Sequence, residues 1–149
     1  MYKYFLGFFM LVFVMPAVAD NGLVTIKSAN DVTVTTDKLV KALKGKGMNV
    51  FAVIDHAKGA ASVGAELPPT TLVIFGNPKV GTPLMKCSRT AAIDLPQKML
   101  IWSDDSGQTW LAYNDPAYMA KRHNVKGCDE AIKKVTGALG KFSGVATAP

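Results

Sequence analysis

The 149-residue sequence lacks most of what would announce a reaction. It holds two cysteines and two histidines, and no Cys-x-x-Cys, His-x-x-x-His or acidic calcium-loop spacing occurs, so the common metal motifs are not encoded. There is no Gly-x-Ser-x-Gly, and no Ser, Cys or Thr stands in a recognisable pattern with a base. Charged residues are scarce at 19%, yet 49% of the chain is apolar, which excludes a disordered polar chain. Thirteen glycines without a fixed period exclude a collagen-like repeat. A single unbroken apolar run, Phe5 to Val14, excludes a multi-span membrane protein. What remains is the composition of one soluble globular domain.

The one apolar run has the anatomy of a secretory signal peptide. Lys3 supplies the positive start, the run is too short for a helix to cross a bilayer core of about 30 Å, and Ala17-x-Ala19 fits signal peptidase. The expected organisation is a leader over residues 1–19, a single domain over 20–143 and a flexible tail over 144–149. Cleavage would leave Asp20 first and lower the net charge from +6 to +5 by removing Lys3. The expected location is periplasmic or secreted, with no stable membrane insertion once the leader is gone.

Export sets the reading of Cys87 and Cys128. Two cysteines in an oxidising compartment can form one internal bridge, remain as buried thiols, or serve as soft metal donors. Neither sits in a compelling cationic cluster that would stabilise a thiolate: Lys86 and Arg89 flank Cys87, and Lys126 precedes Cys128, where Asp129 and Glu130 oppose it. The expected outcome is a structural disulfide closing a loop of about 40 residues.

Along the domain, Leu23 to Lys27 alternates apolar and polar side chains and predicts a strand, broken by Ser28 to Asp31. A helix follows with Thr33 as the expected N-cap, Val34, Leu39, Val40 and Leu43 recurring at helical spacing on its apolar face, and a stop at Gly45 and Gly47. Lys38, Lys41, Lys44 and Lys46 form its solvated face and complement the helix dipole. Asn49 to Ile54 predicts the second strand and Thr71 to Phe75 the third, with Ala57 to Gly64 expected as a small, flexible segment between them. Gly76 to Pro83 reads as a turn-rich loop, and Met85 to Leu95 suits a short helix ended by Pro96. Gln97 to Trp102 and Gln108 to Tyr113 form a hairpin around Asp104-Asp105-Ser106-Gly107. Asp115 caps a helix whose first residue is Pro116; it breaks at Asn124 to Gly127 and resumes at Asp129, with Ile132, Val135, Leu139 and Phe142 on one face. The order βαββββα predicts an α+β fold: one antiparallel sheet, helices on one face, the other face partly wet.

Several blocks in this order carry a resemblance: Val50-Phe51-Ala52-Val53-Ile54-Asp55-His56, Glu66-Leu67-Pro68-Pro69-Thr70, Ile74-Phe75-Gly76-Asn77-Pro78-Lys79-x-Gly81-Thr82-Pro83-Leu84-Met85, Ile93-Asp94-Leu95-Pro96 and Tyr113-Asn114-Asp115-Pro116. Together they resemble the bacterial domain-of-unknown-function family 302 over almost all of the mature chain. The resemblance implies a TATA-box-binding-protein-like fold and no established reaction. Cys87 and Cys128 depart from the family pattern.

The residues with chemical potential gather at loop and strand ends. His56, Asn77, Thr82, Met85, Asn114 and Asp115 are the candidate ligand-binding residues, since a sheet covered by helices commonly opens a cleft at its rim. Competing readings make Asn77 and Asp115 capping groups and Asp55-His56 a strand end satisfying loop amides. His123, near the helix break, reads as a partner of the helix dipole. The function these features favour is a non-catalytic small-molecule-binding module. The alternatives are an enzyme using His56 with Asp55, or Asp115, and a periplasmic copper or haem carrier using Met85, Cys87 and His56. No particular cofactor is specified, nor is an oligomeric state, and the Asp-rich hairpin and export argue against a nucleic-acid partner.

Overall fold

The computed structural model describes residues 21–149; the expected leader lies outside them. Five strands form one antiparallel sheet: β1 (Leu23–Lys27), β2 (Asn49–Asp55), β3 (Thr70–Gly76), β4 (Gln97–Ser103) and β5 (Thr109–Asn114), in the spatial order β1-β5-β4-β3-β2. Consecutive strands from β2 to β5 are neighbours, while β1 and β2 occupy opposite edges. The helix α1 (Val32–Gly45) therefore crosses the sheet between them, and the long C-terminal α5 (Asp129–Thr147) lies beside it on the same face. The predicted α+β order is present, with two further short helices inserted, α2 (His56–Ala61) and α3 (Pro78–Cys87), and with the expected break in the final helix separating α4 (Pro116–Arg122) from α5.

Alternation along the strands builds the core. Val73 and Phe75, Met99 and Ile101, and Leu111 and Tyr113 point to the helices and are buried, meeting Leu39 and Leu43 of α1 and Val135, Leu139 and Phe142 of α5. Phe75 and Phe142 meet edge to face, with ring centroids 6.3 Å apart. The intervening Leu72, Ile74, Leu100, Trp102 and Trp110 belong to the opposite face and are half-buried.

Five local expectations are corrected. Asp31, not Thr33, caps α1: its Oδ1 accepts the Val34 N–H at 2.8 Å, placing Thr33 inside the first turn. The segment expected to be flexible after β2 is α2, because Asp55 caps it by accepting the Lys58 N–H at 2.9 Å. The segment read as a loop after β3 is α3. Asn77 caps it and Pro78 begins it, where a missing N–H costs nothing; Pro83 sits inside, tolerated because Leu84 anchors the helix face in the core. The short helix expected over Met85 to Leu95 is the end of α3 followed by a single 3-10 helix, Arg89–Ile93.

The fifth correction concerns the expected tail over 144–149. The helix α5 runs through it to Thr147, and Ala146 is wholly buried. The Thr147 carbonyl accepts the Ala29 N–H at 3.0 Å, while the Ala148 carbonyl accepts both Asn30 Nδ2 and Lys38 Nζ at 2.6 Å. These long-range bonds to the β1–α1 connection hold residues whose small side chains alone suggest fraying.

Candidate ligand cleft

A cleft of about 250 Å³ opens at the end of the sheet where β2 begins and β3 ends. Its construction starts at the stop of α1. Gly47, at φ +69, lets the chain close a Schellman motif: the Gly47 N–H reaches the Lys44 carbonyl and the Met48 N–H the Leu43 carbonyl, both at 3.0 Å. This reversal delivers Met48 to the cleft. Two residues later the β2–β3 register shifts between Val50 and Ala52, leaving Phe51 as the unpaired residue of a bulge. Phe51 is 57% exposed and stands at the mouth. Gly76 lies beside it: a Cβ there would meet the Phe51 ring at 3.4 Å and Pro96 at 3.5 Å, van der Waals contact that joins the two sides of the mouth.

The opposite wall is α3, which contributes Val80, Gly81, Leu84 and Met85. Leu95, Pro96 and Gln97, entering β4, close a third side, and Val135 of α5 also lines the cleft. The Cys87–Cys128 disulfide joins the end of α3 to the N-cap of α5, with Cα atoms 6.4 Å apart, so the wall is covalently tied to the helix carrying Val135. No lining residue is charged; the side-chain polar groups come from Asn77, Thr82 and Gln97. Such a site favours a neutral, mainly apolar ligand, because a charge would lose its hydration without a partner.

The Leu95–Pro96 side is held by a polar cluster that the sequence did not reveal. Asp94 Oδ2 lies 2.5 Å from His123 Nε2, and the second oxygen, Oδ1, accepts from Arg122 Nη1 at 3.4 Å. The other imidazole nitrogen, Nδ1, is 3.1 Å from the Thr90 hydroxyl, and Ser88 Oγ donates to the His123 carbonyl at 2.9 Å. With a proton on Nε2 facing the carboxylate, Nδ1 accepts from Thr90. Lys98 Nζ adds bonds to the Asp94 and Pro96 carbonyls at 3.0 and 2.9 Å. His123 is the C-cap of α4, as its dipole reading requires, but its ring is spent on fixing the 3-10 helix and the cleft wall that follows.

Of the six candidate residues, Asn77, Thr82 and Met85 line this cleft. The Asn77 side chain is already engaged: Oδ1 accepts the Lys79 N–H at 2.9 Å and Nδ2 donates to the Gly47 carbonyl at 3.2 Å. His56 follows the far end of the seven-residue β2, about 20 Å from the cleft end at the rise of an extended strand, and is exposed. Asn114 and Asp115 end β5, two strands away from β3, and Asp115 Oδ1 accepts the Ala117 N–H as the cap of α4. Asp55 and Asp115, considered for catalysis, thus both serve as helix caps. The soft donors are also dispersed: Cys87 is bonded to Cys128, and His56 is at the other end of the sheet from Met85. Among the described residues no three His, Cys, Asp or Glu side chains are grouped to hold a metal ion. The lining residues Phe51, Leu84 and Leu95 lie in the blocks that carry the family resemblance and Val135 on the predicted apolar helix face, but nothing in the sequence assigned them or Met48 to a cleft.

The fold is that of a crystal structure from Bacillus stearothermophilus, an uncharacterized conserved protein DUF302. The TM-score is 0.68 at 17% identity, covering 85% of this chain and 96% of that one. In sequence, the chain is 45% identical over 133 residues to a protein named fluoride-specific ion channel FluC 1 from Brucella suis, covering 87% of this chain and 52% of that protein. A Brucella abortus protein of the same name is similar at 45% identity, with 49% of its length matched. The chain thus spans about half the length of the curated relatives it matches, and among the described residues no helix is long and apolar enough to cross a membrane. The family model for Domain of unknown function DUF302 matches residues 24–142, and the chain belongs to that family.

Proposed function

We propose that this protein is an exported, non-catalytic binding module that takes a small, neutral, predominantly apolar molecule into the cleft between α3 and the starts of β2 and β4. The observation that carries this reading is the uncharged cleft itself, about 250 Å³, lined by apolar side chains from four separate segments and braced by a disulfide. A leader ending at Ala19 would place the module outside the cytoplasm, where that disulfide forms. Intact mass of exported protein beginning at Asp20 supports this part; a retained Met1 in the membrane fraction refutes it.

Binding is tested with N-phenyl-1-naphthylamine, a neutral apolar fluorophore. A Cβ at Gly81 would first meet Leu95 Cδ1 at 3.8 Å, so Gly81→Leu extends a side chain into the cleft while favouring the helix. The expected result is saturable binding by the native protein and loss of at least about tenfold in affinity for Gly81→Leu, with its thermal midpoint maintained. Equal binding by both proteins overturns the cleft as the site.

The similarity to half of proteins named as fluoride-specific channels supports a second reading, in which the module works beside a membrane channel as its ligand-binding accessory. Fluoride flux into vesicles bearing such a channel, measured with and without the added module, tests it; an unchanged flux removes it.

A further inference from the structure

The outer side of the helix layer carries a second concavity, of about 900 Å³, unrelated to the cleft. One wall is a continuous face of α5. Glu130, Lys133, Lys134, Gly137, Ala138 and Lys141 fall at helical spacing, and Phe142 and Val145 extend the same stripe. From Glu130 to Val145 this face runs about 22 Å at the rise of an α-helix. The other wall is the last turns of α1, through Ala42, Gly45 and Lys46.

Two properties of the groove point to its occupant. The floor is small and apolar: Ala42 and Ala138 are half-buried, Val145 is 55% exposed, and a Cβ on Gly45 or Gly137 would meet open space beyond its own helix. The rim is basic. Lys46, Lys133, Lys134 and Lys141 stand against the single carboxylate Glu130, and the ion pairs among the described residues involve none of them. These lysines are more than a solvated face would need, because they border an apolar trough whose length matches about four helical turns.

We infer that this groove docks an acidic amphipathic helix of a partner protein. Its apolar stripe would lie on Ala42, Ala138 and Val145, its backbone would approach over Gly45 and Gly137, and its flanking carboxylates would meet the four lysines. The small floor residues favour a helix over a flat anionic surface, which would touch the lysines and leave the trough empty.

The probe is a fluorescein-labelled peptide of about 15 residues, with leucines at helical spacing and glutamates on both flanks. It is added to the full mature protein and followed by anisotropy at about 50 and about 300 mM salt. Saturable binding is expected, weakened at least about tenfold by Lys133→Glu with Lys134→Glu and Lys141→Glu, and at least about tenfold by Gly137→Phe, which fills the floor without changing charge. Circular dichroism and thermal midpoints verify that both variants fold; if the triple variant does not, Gly137→Phe alone decides. Loss of binding in the charge variant but not in Gly137→Phe overturns the proposal, since only diffuse attraction would remain. So does absence of peptide binding together with lysine-dependent binding to phosphatidylglycerol vesicles, which would assign the surface to a membrane.

Discussion

His123 Nε2 and Asp94 Oδ2 lie 2.5 Å apart across 29 residues of sequence, with side chains only 7% and 14% exposed. The pair closes the 3-10 helix onto the end of α4 and, through the chain that leaves Asp94, positions Leu95 and Pro96 in the cleft wall. Removing one partner strands a largely buried polar group. Asp94→Ala is expected to cost about 1–3 kcal/mol in denaturant unfolding and to weaken binding of the apolar fluorophore. His123→Ala should cost a similar amount, and the double variant less than the sum of the two. Additive costs would show that the contact contributes no coupling.

Asp104 organises the β4–β5 hairpin. Its Oδ1 accepts from the Ser106 hydroxyl at 2.7 Å and from the Ser106 and Gln108 N–H groups at 2.9 Å, while Oδ2 accepts from Trp110 Nε1 at 2.7 Å. The Ser106 hydroxyl and then the Trp110 indole do most to stabilise its charged form, and the pKa falls from 3.8 to about 2. A depressed carboxylate contributes stability above its unfolded pKa and loses it as pH falls through the folded value. The Trp110 environment is therefore expected to hold at pH 4 and change only as the pH approaches about 2. Asp104→Asn should abolish this step in tryptophan fluorescence; a step persisting in that variant would assign it elsewhere.

Leu39 and Leu139, from α1 and α5, have relative exposures of 0% and 2%. Burial of either side chain contributes roughly 1.5–3 kcal/mol, and a carboxylate in its place adds an unpaired buried charge. Leu39→Asp and Leu139→Asp should each unfold the domain. Cooperative thermal melts close to the native midpoint for either variant would contradict the assigned core.

The Cys87–Cys128 disulfide closes a loop spanning 41 residues of sequence separation. On the chain-entropy model it stabilises by about 4 kcal/mol. Reduction, or Cys87→Ser with Cys128→Ser, should lower stability by that order and weaken fluorophore binding, because α3 is then joined to α5 by packing alone. Non-reducing peptide mapping should find the two cysteine peptides linked, and free alkylation of both thiols in exported native protein would refute the bridge.

The local chemistry of this fold was largely legible in the chain. Asp115 with Pro116 marked a helix start and Asp104 to Gly107 a hairpin, because capping and turn bonds join near neighbours. Gly76 to Pro83 misled for the same local reason: two prolines imply a loop until Leu84 is seen anchored in the core. The tail misled because the partners of Thr147 and Ala148 are Ala29, Asn30 and Lys38, more than a hundred residues earlier.

By itself, then, the sequence determined the five strands, the apolar faces of α1 and α5, the Asp115 cap of α4 and the number of possible disulfides. The tertiary structure decided that β1 and β2 would be opposite edges, that Asn77, Thr82 and Met85 would share a cleft while His56 would not, and that His123 would meet Asp94. Periodicity and capping depend on residues within a turn or two of each other. A cleft depends on which distant segments pack together, and apolar residues such as Met48, Leu95 and Val135 carry no mark of their eventual neighbours until the sheet is assembled.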